Sequence, residues 1–193
     1  LLLATGVLPN TDILDVEKTG VTLNEKGFIL VDAYMQTNIK GIYAIGDIVG
    51  KYLFKHNANL EAEIATLAAF TDEKIKVDYT AMPHAVFSNP QIAGVGFSEQ
   101  ELKTKKITYE SATYPYSHTG MGKALEDKDG FVKVLVDSQG KILGCHILGT
   151  DASTLIHEVL VAMKNGLTAQ DVVKTVHIHP ALSEVVQRAL AQV

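Results

Sequence analysis

Three features of the sequence predict an α+β fold. Short apolar runs bounded by Gly, Asn, Asp and Pro turns fill much of the middle of the chain, and longer stretches with helical spacing follow them. A charged segment, Thr71–Tyr79 (TDEKIKVDY), separates an earlier unit from a later one. Strands grouped before helices, rather than alternating with them, argue for an antiparallel sheet covered by helices.

Composition narrows the function classes. A 47% hydrophobic content over 193 residues is enough for a real core. The net charge of −5, with no basic stripe interleaved with aromatics, argues against a nucleic-acid partner. Apolar runs are short and interrupted, far below the roughly 20 residues that cross a bilayer, so no membrane association is expected. A single cysteine, Cys145, excludes a disulfide framework and fits a reducing, cytoplasmic compartment.

Taken in order, Leu1–Ala4 reads as a buried strand entered part-way, and the chain is expected to be the C-terminal fragment of something longer. Thr5–Asn10 is a Gly/Pro turn, and Ile13–Glu17 is a short link. Val21–Leu23 and Phe28–Val31, joined by Asn24-Glu25-Lys26-Gly27, carry a hairpin signal. Met35–Asn38 reads as polar and exposed. Ile42–Ile45 is an apolar strand ending in Gly46-Asp47, and a helix over 58–70 is expected to hold Glu61 and Glu63 outward.

Beyond the charged segment, strands are expected at Ala85–Ser88, Ile92–Phe97, Ile107–Pro115, Phe131–Val136 and Lys141–Leu148. Ser98-x-x-Glu101 is a capping box that opens a short helix. Leu155, Ile156, Val159, Leu160 and Met163 form the stripe of a helix over 152–165, which Gly166 stops. Thr168 with Asp171 starts a shorter one. A final helix from Pro180 to Ala191 buries Leu182, Val185, Val186, Ala189 and Leu190.

Chemistry concentrates in Val176–Glu184, VHIHPALSE. Proline fixes φ near the helical value and has no N–H to lose, so Pro180 reads as the first helical residue with His179 at the cap. Glu184 then lies about one turn above the His179 ring. A carboxylate on one ring nitrogen fixes the tautomer and leaves the other to act as a general base. An isolated His beside a helix start is more often a capping or packing residue, so on the residues alone both readings stand. A metal reading of His177 with His179 ranks last and no metal ligand is expected, because no Cys or Asp/Glu cluster stands at ligand spacing nearby.

A second candidate is the strand end at Gly46-Asp47. Glycine lets a ligand approach the backbone, and the carboxylate suits a sugar or ribityl hydroxyl. The N-terminus of the following helix, near His56, Asn57 and Ala58, offers free N–H groups and partial positive charge. A plain turn explains Gly-Asp equally well. Two glycine motifs are set aside. Gly94-Val95-Gly96 lacks the third glycine of a dinucleotide fingerprint and carries Glu99 where pyrophosphate would sit, and Gly120-Met121-Gly122 lacks the strand-to-helix context.

Several motifs then fall in one order: ATGVLPN at Ala4–Asn10, GIYAIGD at Gly41–Asp47, FSNPQIAGVGFSE at Phe87–Glu99, GFVKVLVD at Gly130–Asp137, GKILGCHILG at 140–149 and HIHPALSE at His177–Glu184. In this order the chain resembles, over nearly its whole length, the C-terminal portion of the flavin-dependent pyridine nucleotide–disulfide oxidoreductases, most of all the dihydrolipoamide dehydrogenases. The resemblance implies that residues 1–77 are the C-terminal part of an FAD-binding domain and 78–193 an interface, or dimerisation, domain. It implies that Gly46, Asp47, His56, Asn57 and Ala58 lie against FAD, that His179 acts on the substrate thiol, and that Glu184 orients it.

It further implies a homodimer in which His179 serves the partner's flavin, NAD or NADP as second cofactor, and a small dithiol or disulfide as substrate, lipoyl groups included. The HNANLE segment at His56–Glu61 is also similar to mycothione reductases, which makes a low-molecular-weight disulfide reductase the alternative. The redox cysteine pair and the nicotinamide domain are not among these residues, so the chain alone is expected to be inactive, a dimerisation module at most.

Overall fold

The computed structural model describes residues 1–193, which form two compact units, Leu1–Tyr79 and Thr80–Val193. The first unit is mostly turns wrapped on one long helix. Short 3₁₀ turns at Asp12–Leu14 and Val16–Lys18 lead into a minimal hairpin in which Leu23 pairs with Ile29. Its turn forms as the sequence predicts: the Asn24 side chain accepts from the Lys26 and Phe28 N–H groups at 2.9 and 3.1 Å, and Gly27 takes φ +84°. A 3₁₀ turn at Gly46–Val49 precedes helix α1, Lys55–Phe70.

Four expectations fail in this unit. Leu1–Ala4 is exposed and pairs with nothing: a strand exists only beside another chain segment that takes its hydrogen bonds, and none of the 193 residues lies alongside. Met35 is fully buried against Ile64 and Ala65, and Thr37 is buried with it, because the N–H of Met35 turns back to Asp32 and carries the side chain inward. Ile42–Ile45 contributes only a single bridge, Tyr43 to Gln36. Finally, α1 begins three residues earlier than expected, and Glu61 lies inside it.

The second unit is built on a five-stranded antiparallel sheet: β1 His84–Val86, β2 Gln91–Gly96, β3 Glu110–Pro115, β4 Phe131–Val136 and β5 Ile142–Gly149, in the order β1-β2-β5-β4-β3. Alternation selects one face for the core: Ala93, Val95, Val132, Val134, Cys145 and Ile147 are buried there. Two helices cover that face, α4 (Ala152–Lys164) on β2 and β5 and α6 (Ser183–Leu190) on β3 and β4, with α5 (Ala169–Val173) against α6. Burying Ile156, Val159, Val185, Val186 and Leu190 stabilises this layer by about 1.5–3 kcal/mol per large side chain. On the opposite face Leu102 of α2 (Glu99–Lys105) and Leu135 are buried.

Both capping boxes are present. Ser98 and Glu101 exchange side-chain and backbone bonds at the start of α2, and Thr168 and Asp171 do so at α5. Helix α3, Gly120–Ala124, was not expected; its N-terminus is capped by the Thr119 hydroxyl. A Cβ on Gly122 would stand 2.0 Å from the Tyr116 carbonyl oxygen, so this turn requires glycine. The last helix also differs from expectation. The His179–Pro180 peptide bond is cis, and α6 begins at Ser183 after a turn in which Ala181 and Leu182 carbonyls accept from Glu184 and Val185.

Candidate active site

Although Pro180 does not start the helix, His179 and Glu184 still meet. The Nδ1 atom of His179 lies 3.0 and 3.1 Å from the two carboxylate oxygens of Glu184, and the Ala181 N–H donates to the same carboxylate at 3.1 Å. An ionised carboxylate only accepts, so the ring nitrogen facing it carries the hydrogen and Nε2 keeps its lone pair. Exposure divides the pair: the His179 side chain is 73% exposed and that of Glu184 only 11%. A held carboxylate thus presents an open imidazole, the arrangement of a general base and its orienting group. Beneath the ring sits Gly120, where a Cβ would lie 3.4 Å from His179 Cε1. One glycine that the sequence reading set aside therefore seats the histidine.

Hydrogen bonds from His179 and then from the Ala181 N–H hold the Glu184 carboxyl below its usual range, against the opposing effect of burial. A depressed folded-state pKa contributes stability above the unfolded-state value and loses it as pH falls through the folded one. Glu184→Gln should therefore be less stable than the parent chain at pH 6–7, with the gap closing below about pH 4.3. Urea unfolding across that range checks it. A gap independent of pH would show that the ionised carboxylate contributes nothing.

His177 is occupied elsewhere. Its Nε2 meets Glu158 of α4 at 2.6 Å, its Nδ1 lies 3.1 Å from the Thr175 carbonyl, and its side chain is 6% exposed. The two histidines therefore address different carboxylates and do not converge on one point. Between and before them, Val176 and Ile178 are 98% and 77% exposed.

In the first unit, Gly46 is buried with φ +76°, and a Cβ there would press on Ala58 at 3.3 Å. Asp47 is exposed on the same turn. The first turn of α1 holds His56, Asn57 and Ala58, and its cap residue Phe54 offers no side-chain acceptor to the helix N–H groups. His56 stacks on Phe54, ring centres 5.1 Å apart. Asn57 is fully buried: its amide nitrogen donates to the Tyr52 carbonyl and to Glu61, which leaves its Oδ1 without a partner.

The residue that organises this turn is one the sequence reading placed in solvent. Glu61 is fully buried, and its carboxylate accepts from the Gly46 N–H at 2.6 Å, the Tyr79 hydroxyl at 2.7 Å and the Asn57 amide at 2.9 Å. Its spacing held the signal: residues 57, 61, 64, 65 and 68 form one helical stripe, and all are buried. Burial, then the hydrogen bond to Glu61 and its charge, push the Tyr79 phenol above the ordinary tyrosine range.

Comparison with known proteins identifies the family. The model of the pyridine nucleotide–disulphide oxidoreductase dimerisation domain matches residues 82–190, and that of the pyridine nucleotide–disulphide oxidoreductase matches residues 1–63. The chain belongs to the pyridine nucleotide–disulphide oxidoreductase family. Within that family it is 39% identical over 194 residues to a dihydrolipoyl dehydrogenase of Corynebacterium glutamicum, covering 98% of this chain and 41% of that one. It is 40% identical over 197 residues to a mycothione reductase of Mycobacterium tuberculosis, covering 98% and 43%. The HOCl-induced flavoprotein disulfide reductase RclA of Escherichia coli superimposes with a TM-score of 0.93 at 27% identity, covering all of this chain and 45% of RclA. The chain thus spans less than half the length of these oxidoreductases, and its α+β fold with a five-stranded antiparallel sheet is that of the family's dimerisation domain. No helix is long and apolar enough to cross a membrane.

Proposed function

We propose that this chain is the C-terminal part of a cytoplasmic, homodimeric flavin-dependent oxidoreductase that oxidises a dithiol and passes the electrons to NAD or NADP, in the manner of the dihydrolipoyl dehydrogenases it resembles. The observation that carries the proposal is the His179–Glu184 pair, an exposed imidazole with its tautomer fixed by a held carboxylate. In this reading residues 1–77 complete an FAD-binding domain and 78–193 form the dimerisation domain.

The first unit fits FAD. The exposed Asp47 carboxylate suits the ribityl hydroxyls, Gly46 lets the backbone come close, and the uncapped first turn of α1, at His56, Asn57 and Ala58, suits the electron-rich edge of the flavin ring. When bound, the flavin supplies two-electron transfer between a disulfide and the nicotinamide. His179 takes the proton from the substrate thiol at Nε2, or returns it, while Glu184 holds Nδ1–H. A thiol of pKa about 8.5 is mostly protonated at neutral pH, so a base beside it raises the reactive thiolate fraction. Cys145 takes no part: it is fully buried at the centre of the sheet, and burial pushes its thiol far above the usual range.

A second reading, reduction of a low-molecular-weight disulfide, is supported by the 40% identity to a mycothione reductase. Assays of the whole protein separate the two. NAD⁺ reduction driven by dihydrolipoamide is the expected result, and NAD(P)H oxidation driven by mycothiol or glutathione disulfide but not lipoamide would select the second. Absence of all three activities from protein carrying bound flavin would overturn both.

A further inference from the structure

On the sheet face opposite the α4–α6 core, three strands place two histidines on either side of a glycine. His84 of β1 pairs with Gly94 of β2, and Gly94 pairs with His146 of β5, so the residues form one row across the sheet. Both rings lean over the gap that the missing side chain leaves. A Cβ on Gly94 would lie 2.6 Å from His84 Cε1, 2.7 Å from its neighbour Nε2 and 2.8 Å from His146 Nδ1. The Cε1–Nε2 edge of one imidazole and the Nδ1 of the other therefore border one small volume from opposite sides. Both rings are half-buried, and neither is used by the site described above.

The hydrogen bonding of His146 makes its inward nitrogen a donor of electrons rather than of a proton. Its Nε2 lies 3.0 Å from the Phe97 carbonyl oxygen, which only accepts, so Nε2 carries the hydrogen and Nδ1 presents a lone pair toward His84. A carbonyl behind one imidazole nitrogen is what fixes the tautomer of a metal-ligating histidine. Distance then selects the coordination. Two imidazoles trans to one metal, with bonds of about 2.0 Å, have ring centres roughly 6.3 Å apart, whereas a tetrahedral angle brings them to roughly 5 Å. The rings here are 6.5 Å apart.

We propose that His84 and His146 form a two-nitrogen site for a tetragonal divalent ion of the Cu²⁺ type, seated above Gly94 with water in its remaining positions. Copper(II) favours this geometry and binds nitrogen most tightly of the divalent first-row series. The Glu101 carboxylate, whose charge acts on both rings, makes the local field favourable to a cation while its own oxygen stays committed to the α2 cap. Gly94 is essential to the site because any side chain there occupies the metal's place.

The test is a Cu²⁺ titration of the protein followed by electron paramagnetic resonance and by paramagnetic broadening of assigned histidine ring signals. Expected is a first equivalent of Cu²⁺ with two nitrogen ligands that broadens His84 and His146 before the other five histidines. His84→Asn, His146→Asn and Gly94→Ala should each weaken that equivalent at least tenfold, with the glycine variant doing so while both ligands are present. The signal measurement on the unaltered protein decides the matter if a variant does not fold. First-equivalent binding at His179, at His56 or at the N-terminal amine, or binding unchanged in Gly94→Ala, would overturn the proposal.

Discussion

His179→Gln in the whole protein should lower thiol–disulfide turnover by roughly 10²–10⁴-fold, the usual contribution of a positioned base, with bound flavin and its visible absorbance unchanged. Glutamine keeps the approximate size of the ring and can still hydrogen-bond to Glu184, but has no group that exchanges a proton near neutrality. The effect belongs to kcat rather than to folding, because the side chain is 73% exposed and its hydrogen bonds to the protein are made at Nδ1 alone. Steady-state assays of variant and parent protein, at matched flavin content, give the comparison. Turnover within tenfold of the parent would remove His179 from the reaction.

Glu61→Ala should be the most damaging single change in the first unit, a loss of about 3–5 kcal/mol of stability. The substitution takes the shared acceptor away from three donors at once: the Gly46 N–H, the Tyr79 hydroxyl and the Asn57 amide. Each donor left unpaired in a buried place costs about 1–3 kcal/mol, partly recovered by water entering the cavity. The turn carrying Asp47 loosens as a consequence, because Gly46 loses its tie to α1. Urea denaturation gives the stability, and ultraviolet titration gives a second readout: without Glu61 the Tyr79 phenol should ionise at lower pH. A loss under 1 kcal/mol would show that the carboxylate is a passenger in that pocket.

The contrast between Glu61 and Glu184 shows what was legible beforehand. Glu184 was readable because its partner stands five residues away, within the span of one local motif. Glu61 answers to Gly46, fifteen positions earlier, and to Tyr79, eighteen later, and a charged residue in a helix is ordinarily read as solvated. The same division holds for the fold. The Ser98 and Thr168 capping boxes, the Asn24 turn and the five strands of the second unit follow from local chemistry. Met35, Gly120 and the start of α6 do not, because tertiary packing decides them: Met35 is drawn in by Ile64, Gly120 lies under a residue 59 positions away, and the Ala181 N–H is answered by Glu184 instead of by a helical turn from Pro180.

The segment from Thr175 to His179 behaves as a counted spacer. Its two histidines reach fixed anchors on two different helices, Glu158 and Glu184, and the alternate residues, Val176 and Ile178, stand in solvent. Removing or adding one residue between the histidines would leave only one of them at its anchor, because the span that joins Glu158 to Glu184 would no longer match. Length, more than identity, is thus the quantity this stretch must preserve, and substitutions at Val176 or Ile178 should be borne far better than any insertion beside them.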